Sequence, residues 1–252
     1  MKLKIATFNI SGGVYEDDQS VDYLDKSQFE RIDTRLHDDI VRIANEEQLD
    51  VLCFQEIITT ESFHYIDKIV AETELKYVSA LELSPCNTLK DARCGIAILS
   101  KYPLTEEAKE LITNPMLAKT TSSGKTYYTF DKGYQIATIK LGDQSIRLFN
   151  HHNFPFRRFN STPEANPTVF AEVDGVIASY TPDIVAGDFN AEAFLDLMPY
   201  LAEHYTKTID AGTTDDGKKF DNILVKKGTD ANAKLIESYS DHYMVVAEIV
   251  LK

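Results

Sequence analysis

Apolar and polar residues change period several times along the chain, and each change marks an element. Leu3 and Ile5 alternate with Lys2 and Lys4, which predicts a strand over 3–8 closing on Thr7-Phe8-Asn9-Ile10 before Gly12-Gly13. Ser27-Gln28-Phe29-Glu30 has the form of a capping box. Phe29, Ile32, Leu36, Ile40 and Ile43 follow at spacings of three and four, the face of a helix reaching about residue 48. Residues 50–55 read as a buried strand that stops at Glu56. Phe63, Ile66, Ile69 and Val70 mark a second helix, and 77–83 and 95–99 two strands around a loop over 84–93. The weakly periodic 113–132 reads as a loop or irregular hairpin, and 134–141 and 145–150 as a hairpin around Gly142-Asp143. A helix over 169–180 precedes the short buried strand 184–186; Phe194, Leu197, Met198 and Leu201 give another helix after it. Strands over 220–225 and 242–251 finish the chain. Hairpins mixed with helical crossovers predict a mixed α/β sandwich rather than a purely parallel sheet.

The boundaries of these strands carry the polar chemistry. Asn9, Glu56, His152, Asp188 with Asn190, and Asp241 with His242 all sit there. Gly187 lets the backbone approach whatever lies at the tip, and in an extended chain Asp188 and Asn190 would point the same way. On local grounds the same stretch also reads as an Asx-type turn. If the sheets bring these boundaries together, the clustered carboxylates repel one another unless a cation intervenes. Oxygen ligands of this kind suit Mg2+ or Mn2+ better than zinc or copper. His151 and His152 are strand neighbours on opposite faces and do not readily share one zinc ion.

Composition narrows the partners. The chain has 252 residues, 43% of them hydrophobic, and no linker or repeat, which predicts one domain over 1–252. Its net charge of −14 opposes binding to long duplex nucleic acid. The three cysteines contain no C-x-x-C pair, and the first residues run straight into strand pattern with no apolar leader. No run is long and apolar enough to span a membrane. A reducing compartment, the cytoplasm by default, is the expectation.

In order along the chain stand Thr7-Phe8-Asn9-Ile10, Gln55-Glu56, Gly95-Ile96-Ala97-Ile98-Leu99-Ser100-Lys101, Asn150-His151-His152, Gly187-Asp188-Phe189-Asn190, Phe220-Asp221-Asn222-Ile223-Leu224 and Ser240-Asp241-His242. This ordered set resembles the endonuclease/exonuclease/phosphatase superfamily with the DNase I-like fold, over nearly the whole chain. The resemblance implies a four-layer sandwich of two packed, mostly antiparallel sheets flanked by helices. It also implies a metal-dependent hydrolase of phosphate mono- or diesters. Glu56 would be the main metal ligand, with Asn9 and Asp241 nearby. Asp188 would orient or activate the attacking water, Asn190 would hold the phosphate and His152 would contact it. His242 would stabilise the transition state or act in acid–base chemistry, and Asp221 would fix its tautomer. His151 stands where the family often has Thr, and its role stays open.

A small phosphate ester or a short single strand is the expected substrate. Phe154, Phe156, Arg157, Arg158 and Phe159 form an aromatic and basic patch that can recognise it, or that merely covers the core. The alternatives are a Mg-dependent nuclease on DNA or RNA, a non-catalytic binding module on the same fold, and a serine hydrolase. The absence of a G-x-S-x-G elbow argues against the last.

Overall fold

The computed structural model of the chain describes residues 1–11, 34–60, 63–86, 92–120, 122, 124 and 126–251. Seven strands form a first sheet: β1 (Lys2–Asn9), β2 (Val51–Thr60), β3 (Phe63–His64), β4 (Tyr77–Pro85), β5 (Arg93–Ser100), β14 (Ala231–Ile236) and β15 (Met244–Val250). Six form a second: β6 (Leu104–Ile112), β9 (Lys132–Leu141), β10 (Gln144–His152), β11 (Ile184–Asp188), β12 (Tyr205–Lys207) and β13 (Asp221–Lys226). A separate ribbon joins β7 (Ala118–Thr120) to β8 (Thr126–Tyr128). The helices are α1 (Thr34–Glu47), α2 (Tyr65–Glu72), α3 (Pro167–Tyr180), α4 (Phe194–Leu197) and α5 (Pro199–His204).

Strand parity sorts the apolar residues into layers. Leu3, Ile5, Val51 and Cys53 of the first sheet meet Leu148, Ile184, Ala186 and Ile223 of the second in one buried core. The alternate residues Ala6, Phe8, Leu52 and Phe54 turn outward and pack with Leu36, Ile40 and Ile43 of α1. Phe149, Val185 and Leu224 do the same on the other side, against Phe170, Val173 and Ile177 of α3. The result is the four-layer, mostly antiparallel sandwich that the sequence pattern and the resemblance predict.

Each sheet contains one parallel pair at its centre, β1 with β2 and β10 with β11. Their C-terminal ends carry Asn9, Gln55, His152 and Asp188. These residues share the inward parity of Ile5, Val51, Leu148 and Ile184, so the polar ends face the gap between the sheets. Beneath them lies a buried polar bridge. Gln55 Nε2 donates to Asn150 Oδ1 at 2.8 Å and to Thr7 Oγ1 at 3.1 Å. Asn150 Nδ2 donates to Ala97 O at 3.1 Å, and Gln135 Nε2 reaches Ser79 Oγ at 3.1 Å. These groups are fully buried, so a lost partner leaves a desolvated polar atom unsatisfied. Asn150→Ala is expected to cost about 3 kcal/mol, from unsatisfied partners and an unfilled space. Urea unfolding reads it; an unchanged midpoint at equal slope would show that the bridge contributes nothing net.

Several elements depart from the sequence pattern. The strand expected to stop at Glu56 continues to Thr60, and α2 begins at Tyr65 because Phe63 belongs to β3. The helix expected after the central strand is broken into α4 and α5 at Met198-Pro199, where a proline at the start of α5 cannot donate. Strands β6, β12 and β14 have no counterpart in the pattern. β6 is a mostly polar, largely exposed edge strand, β14 is an edge strand with no buried residue, and β12 is three residues long. The capping box and the apolar positions Phe29 and Ile32 lie outside the described residues, as do parts of the 84–93 loop.

Candidate active site

Gly187 and Asp188 close β11, and the left-handed Asn190 (φ 49°) turns the chain immediately after. The pair is therefore joined by an Asx turn rather than an extended strand: Asn190 N donates to Asp188 Oδ1 at 2.8 Å. Asn190 Nδ2 donates to Asp188 Oδ2 at 3.1 Å and to Asn153 O at 2.9 Å. Both of its amide protons are committed within the protein. Asn190 thus holds Asp188 through two hydrogen bonds. Asn9 Nδ2 adds a third side-chain or backbone donor to Asp188, at 3.0 Å from Oδ2.

A Cβ on Gly187, whose φ is 141°, would lie 2.1 Å from His151 O on the neighbouring strand. Gly187→Ala is expected to destabilise the protein by about 2 kcal/mol or more and to displace Asp188. Thermal unfolding beside a turnover assay checks both effects, and wild-type behaviour in the two would refute the tight approach.

Strand pairing sets Asp221, at the start of β13, opposite Asp188. Asp221 Oδ2 lies 2.7 Å from His242 Nδ1 and accepts from Thr213 Oγ1 at 2.8 Å. Asp188, Asp221 and His242 bring one ligand-type atom each within 4.8 Å of one another. Burial and the Asp221 charge push Asp188 up to about 7. Burial alone would lower His242, but the carboxylates of Asp221, Asp188 and Asp241 outweigh it and push it up to about 10. His242 is an imidazolium at neutral pH, and its charge holds the two buried aspartates together.

Glu56 reaches the same place by another route. Parity would send it outward with Leu52 and Phe54. Instead β2 bulges against β5 between Gln55 and Ile57, and Glu56 takes φ 59°. Its Oε1 lies 3.5 Å from His152 Nε2 and 3.7 Å from Lys132 Nζ. His152 is buried and faces Asp188 Oδ2 at 3.5 Å. Burial, then the charge of Lys132, lowers its pKa well below the usual value, so it is neutral. His151 points the other way, with Nδ1 3.2 Å from Ala186 O and its ring edge-on to Phe189. Its burial lowers it to about 4, so the two histidines are on opposite faces as expected.

Ser11 links Asn9 and Asp241: its N–H donates to Asn9 Oδ1 at 2.9 Å and its hydroxyl to Asp241 Oδ1. Ser240 Oγ donates to Asn9 O at 2.9 Å, tying the last loop to β1. Asn9, Glu56, His152, Asp188, Asn190, Asp241 and His242 all line one cavity of about 370 Å³. The aromatic and basic patch divides. Phe154 and Phe156 are fully buried in the core under the second sheet, and Phe156 also borders the cavity that Arg157 lines. Arg158 and Phe159 line the same cavity, and Arg157 lines an adjoining one. Sequence pattern alone misses Lys132, Ser11 and Thr213, which reach the site only through tertiary contacts.

Comparisons with known proteins bear on the family and the fold. The profile of the Endonuclease/Exonuclease/phosphatase family matches residues 6–242. The chain belongs to that family. No curated protein matches the sequence. Among solved structures, an endonuclease/exonuclease/phosphatase from Beutenbergia cavernae superposes with a TM-score of 0.71 at 15% identity, over 99% of this chain and 72% of that one. A humanized D. rerio TDP2 gives 0.65 at 17% identity, over 99% of each chain. The human Nocturnin catalytic domain, solved with a bound sulfate anion, gives 0.64 at 15% identity, over 100% of this chain and 94% of that one. At these identities the structural likeness shows the fold.

Proposed function

We propose that the protein is a divalent-metal-dependent phosphoesterase that hydrolyses a phosphate ester by in-line attack of water. The observation that carries this reading is the meeting of Asp188 with an Asp221-held imidazolium in a cavity also lined by Asn9, Glu56 and Asp241. The last three form an all-oxygen donor set, in which Asn9 Oδ1 keeps a lone pair beyond the Ser11 bond. They fit Mg2+ or Mn2+, which when bound would polarise a phosphoryl oxygen and offset charge on the leaving group. The buried Asp188, Asp221 and His242 group is the less suitable holder, because the imidazolium already supplies its countercharge.

Asp188 orients the attacking water and accepts its proton. Asn9 and Asn190 fix the carboxylate for that task. His242 keeps Nε2 for the reacting centre, since Nδ1 is held by Asp221, and donates to the charge that develops there. Lys132 and Arg158 supply further positive charge to the cavity. The net charge of −14 disfavours long duplex nucleic acid as substrate. A reducing compartment such as the cytoplasm suits the three cysteines, which form no disulfide. No helix among the described residues is long and apolar enough to cross a membrane.

The test is turnover of bis-p-nitrophenyl phosphate with Mg2+ or Mn2+, and its loss in EDTA. A folded protein that turns over no phosphate ester with either metal is a binding module, and the proposal fails.

A further inference from the structure

Two cysteines meet where β4 ends against β5. Ladder pairing sets Cys94 of β5 opposite Ser84 of β4. Cys86 N donates to Ala92 O at 2.8 Å, so the ladder continues one step past β4 and Cys86 stands two residues on from Ser84. Parity then puts Cys86 and Cys94 on the same face, as diagonal neighbours across the two strands. Cys86 is buried in a core cluster against which Cys94 packs, and the two thiols share a hydrogen bond. Cys53, the third cysteine, is fully buried elsewhere, in the core between the sheets.

This end of the β4–β5 pair is part of the frame of the site. Leu83, Ser84, Cys94 and Gly95 line the same cavity as Glu56. Gly95 and Cys94 pair with Ile57 and Ile58, the residues that follow the Glu56 bulge in β2. Diagonal cross-strand neighbours commonly stand about 7–8 Å apart, whereas a disulfide usually spans at most about 6.8 Å between Cα atoms. Joining the two sulfurs therefore draws the end of β4 toward β5, and β5 passes the shift to the bulge. A bond closed against such resistance is also easily reduced again.

We infer that Cys86 and Cys94 are a reversible redox pair, whose disulfide displaces the cavity wall beside Glu56 and so lowers the turnover proposed above. The co-reactant is a peroxide, small enough to enter the cavity that Cys94 lines. Cys94 Sγ, as the thiolate, attacks one oxygen of hydrogen peroxide. The O–O bond breaks, and the departing hydroxide takes up a proton as water, leaving a sulfenic acid. Cys86 Sγ then attacks the sulfenic sulfur; the S–S bond forms, the S–O bond breaks, and the Cys86 thiol proton leaves with the hydroxide as a second water. Two thiols lose two electrons and two protons, and one peroxide becomes two waters. The bond to Cys86 and burial hold the Cys94 thiol well above its ordinary pKa, so the pair answers sustained rather than brief exposure. A thiol reductant reverses the step by exchange.

The test takes the whole chain, reduced and then held in hydrogen peroxide. Denatured wild type is expected to fall from three titratable thiols to one, with the loss of two hydrogens in intact mass. Lys90 and Arg93 lie between the two cysteines, so trypsin should leave a linked pair of peptides that dithiothreitol separates. Amide exchange in β4 and β5 is expected to change on oxidation. Turnover of bis-p-nitrophenyl phosphate is expected to drop about tenfold and to return with dithiothreitol, the scale of a small misplacement beside the reacting centre. Cys86→Ala, whose side chain is outside the cavity lining, is expected to start near the wild-type rate and to show neither change. Three surviving thiols, a Cys94 sulfinic acid in place of the linked pair, or a bond between two chains overturns the pair. A disulfide that leaves exchange and turnover unaltered, or a Cys86→Ala protein inhibited as strongly as wild type, overturns the switch. Absence of turnover in the reduced protein sinks the phosphoesterase reading instead, while thiol count and amide exchange still decide the pair and the movement of the wall.

Discussion

His242→Ala is expected to lower kcat on bis-p-nitrophenyl phosphate by about two to three orders of magnitude, with KM changed far less. The size follows from removing one preorganised charged donor at the reacting centre. Asp221→Asn separates the donor from its charge. It keeps a hydrogen-bond acceptor beside Nδ1 but removes the nearest of the carboxylates that raise His242 to about 10. Burial then prevails, and the imidazole pKa is expected to fall by several units, readable by NMR titration of the ring. In that variant the rate should fall more at pH 9 than at pH 6, because the proton is lost first at the higher pH. In wild type the alkaline limb of the rate profile is expected near pH 10, and the acid limb at or below the value of about 7 for Asp188. A cation held at Glu56 and Asp241, as proposed, would draw that acid limb down. Stability follows the same proton. His242 is raised above its ordinary 6.5, so its contribution is full below that pH and is lost as pH rises through about 10. An Asp221→Asn protein with wild-type activity and an unshifted His242 titration would remove both residues from the mechanism.

The sequence makes some of this site readable and hides the rest for physical reasons. Asn9, His152 and Asp188 end strands whose alternation is plain in the sequence, so their inward parity can be counted from Ile5, Leu148 and Ile184. Asp221 and His242 are legible as strand-edge residues, but their 2.7 Å contact joins segments that only the closed sandwich brings together. Phe156, an aromatic beside two arginines, reads as a surface feature. Its ring is buried, 5.7 Å from that of Phe170 on α3, and borders a cavity as well. The strand β6 (Leu-Thr-Glu-Glu-Ala-Lys-Glu-Leu-Ile) carries too many charges to look like a strand. It is an edge with one side in solvent, where charge is tolerated and discourages further pairing. Lys132 begins β9 after a stretch without period, and nothing local links it to Glu56 or His152.

Glu56→Gln carries the other large effect, and the backbone around it says why the residue is placed so deliberately. A side chain at this position of an unbroken strand would face the helices with Phe54. The bulge spends one ladder position and a left-handed backbone conformation to bring a carboxylate into the cavity. A glutamine fits the same space with the same backbone but carries no charge. Divalent-cation affinity, measured by calorimetry with Mg2+ or Mn2+, is expected to drop at least about tenfold, and turnover by about two orders of magnitude or more. Unfolding midpoints should stay near wild type, because the side chain is partly exposed and its neighbours His152 and Lys132 are at 3.5 Å and 3.7 Å rather than in short hydrogen bonds. Lys132 sharpens the comparison. Its ammonium faces the Glu56 carboxylate, so in the glutamine variant that positive charge goes uncompensated and further repels an incoming cation. A double variant, Glu56→Gln with Lys132→Met, is therefore expected to recover part of the lost cation affinity without recovering turnover. Cation affinity unchanged in Glu56→Gln would place the metal elsewhere, with Asp188, Asp221 and His242 as the remaining cluster to examine.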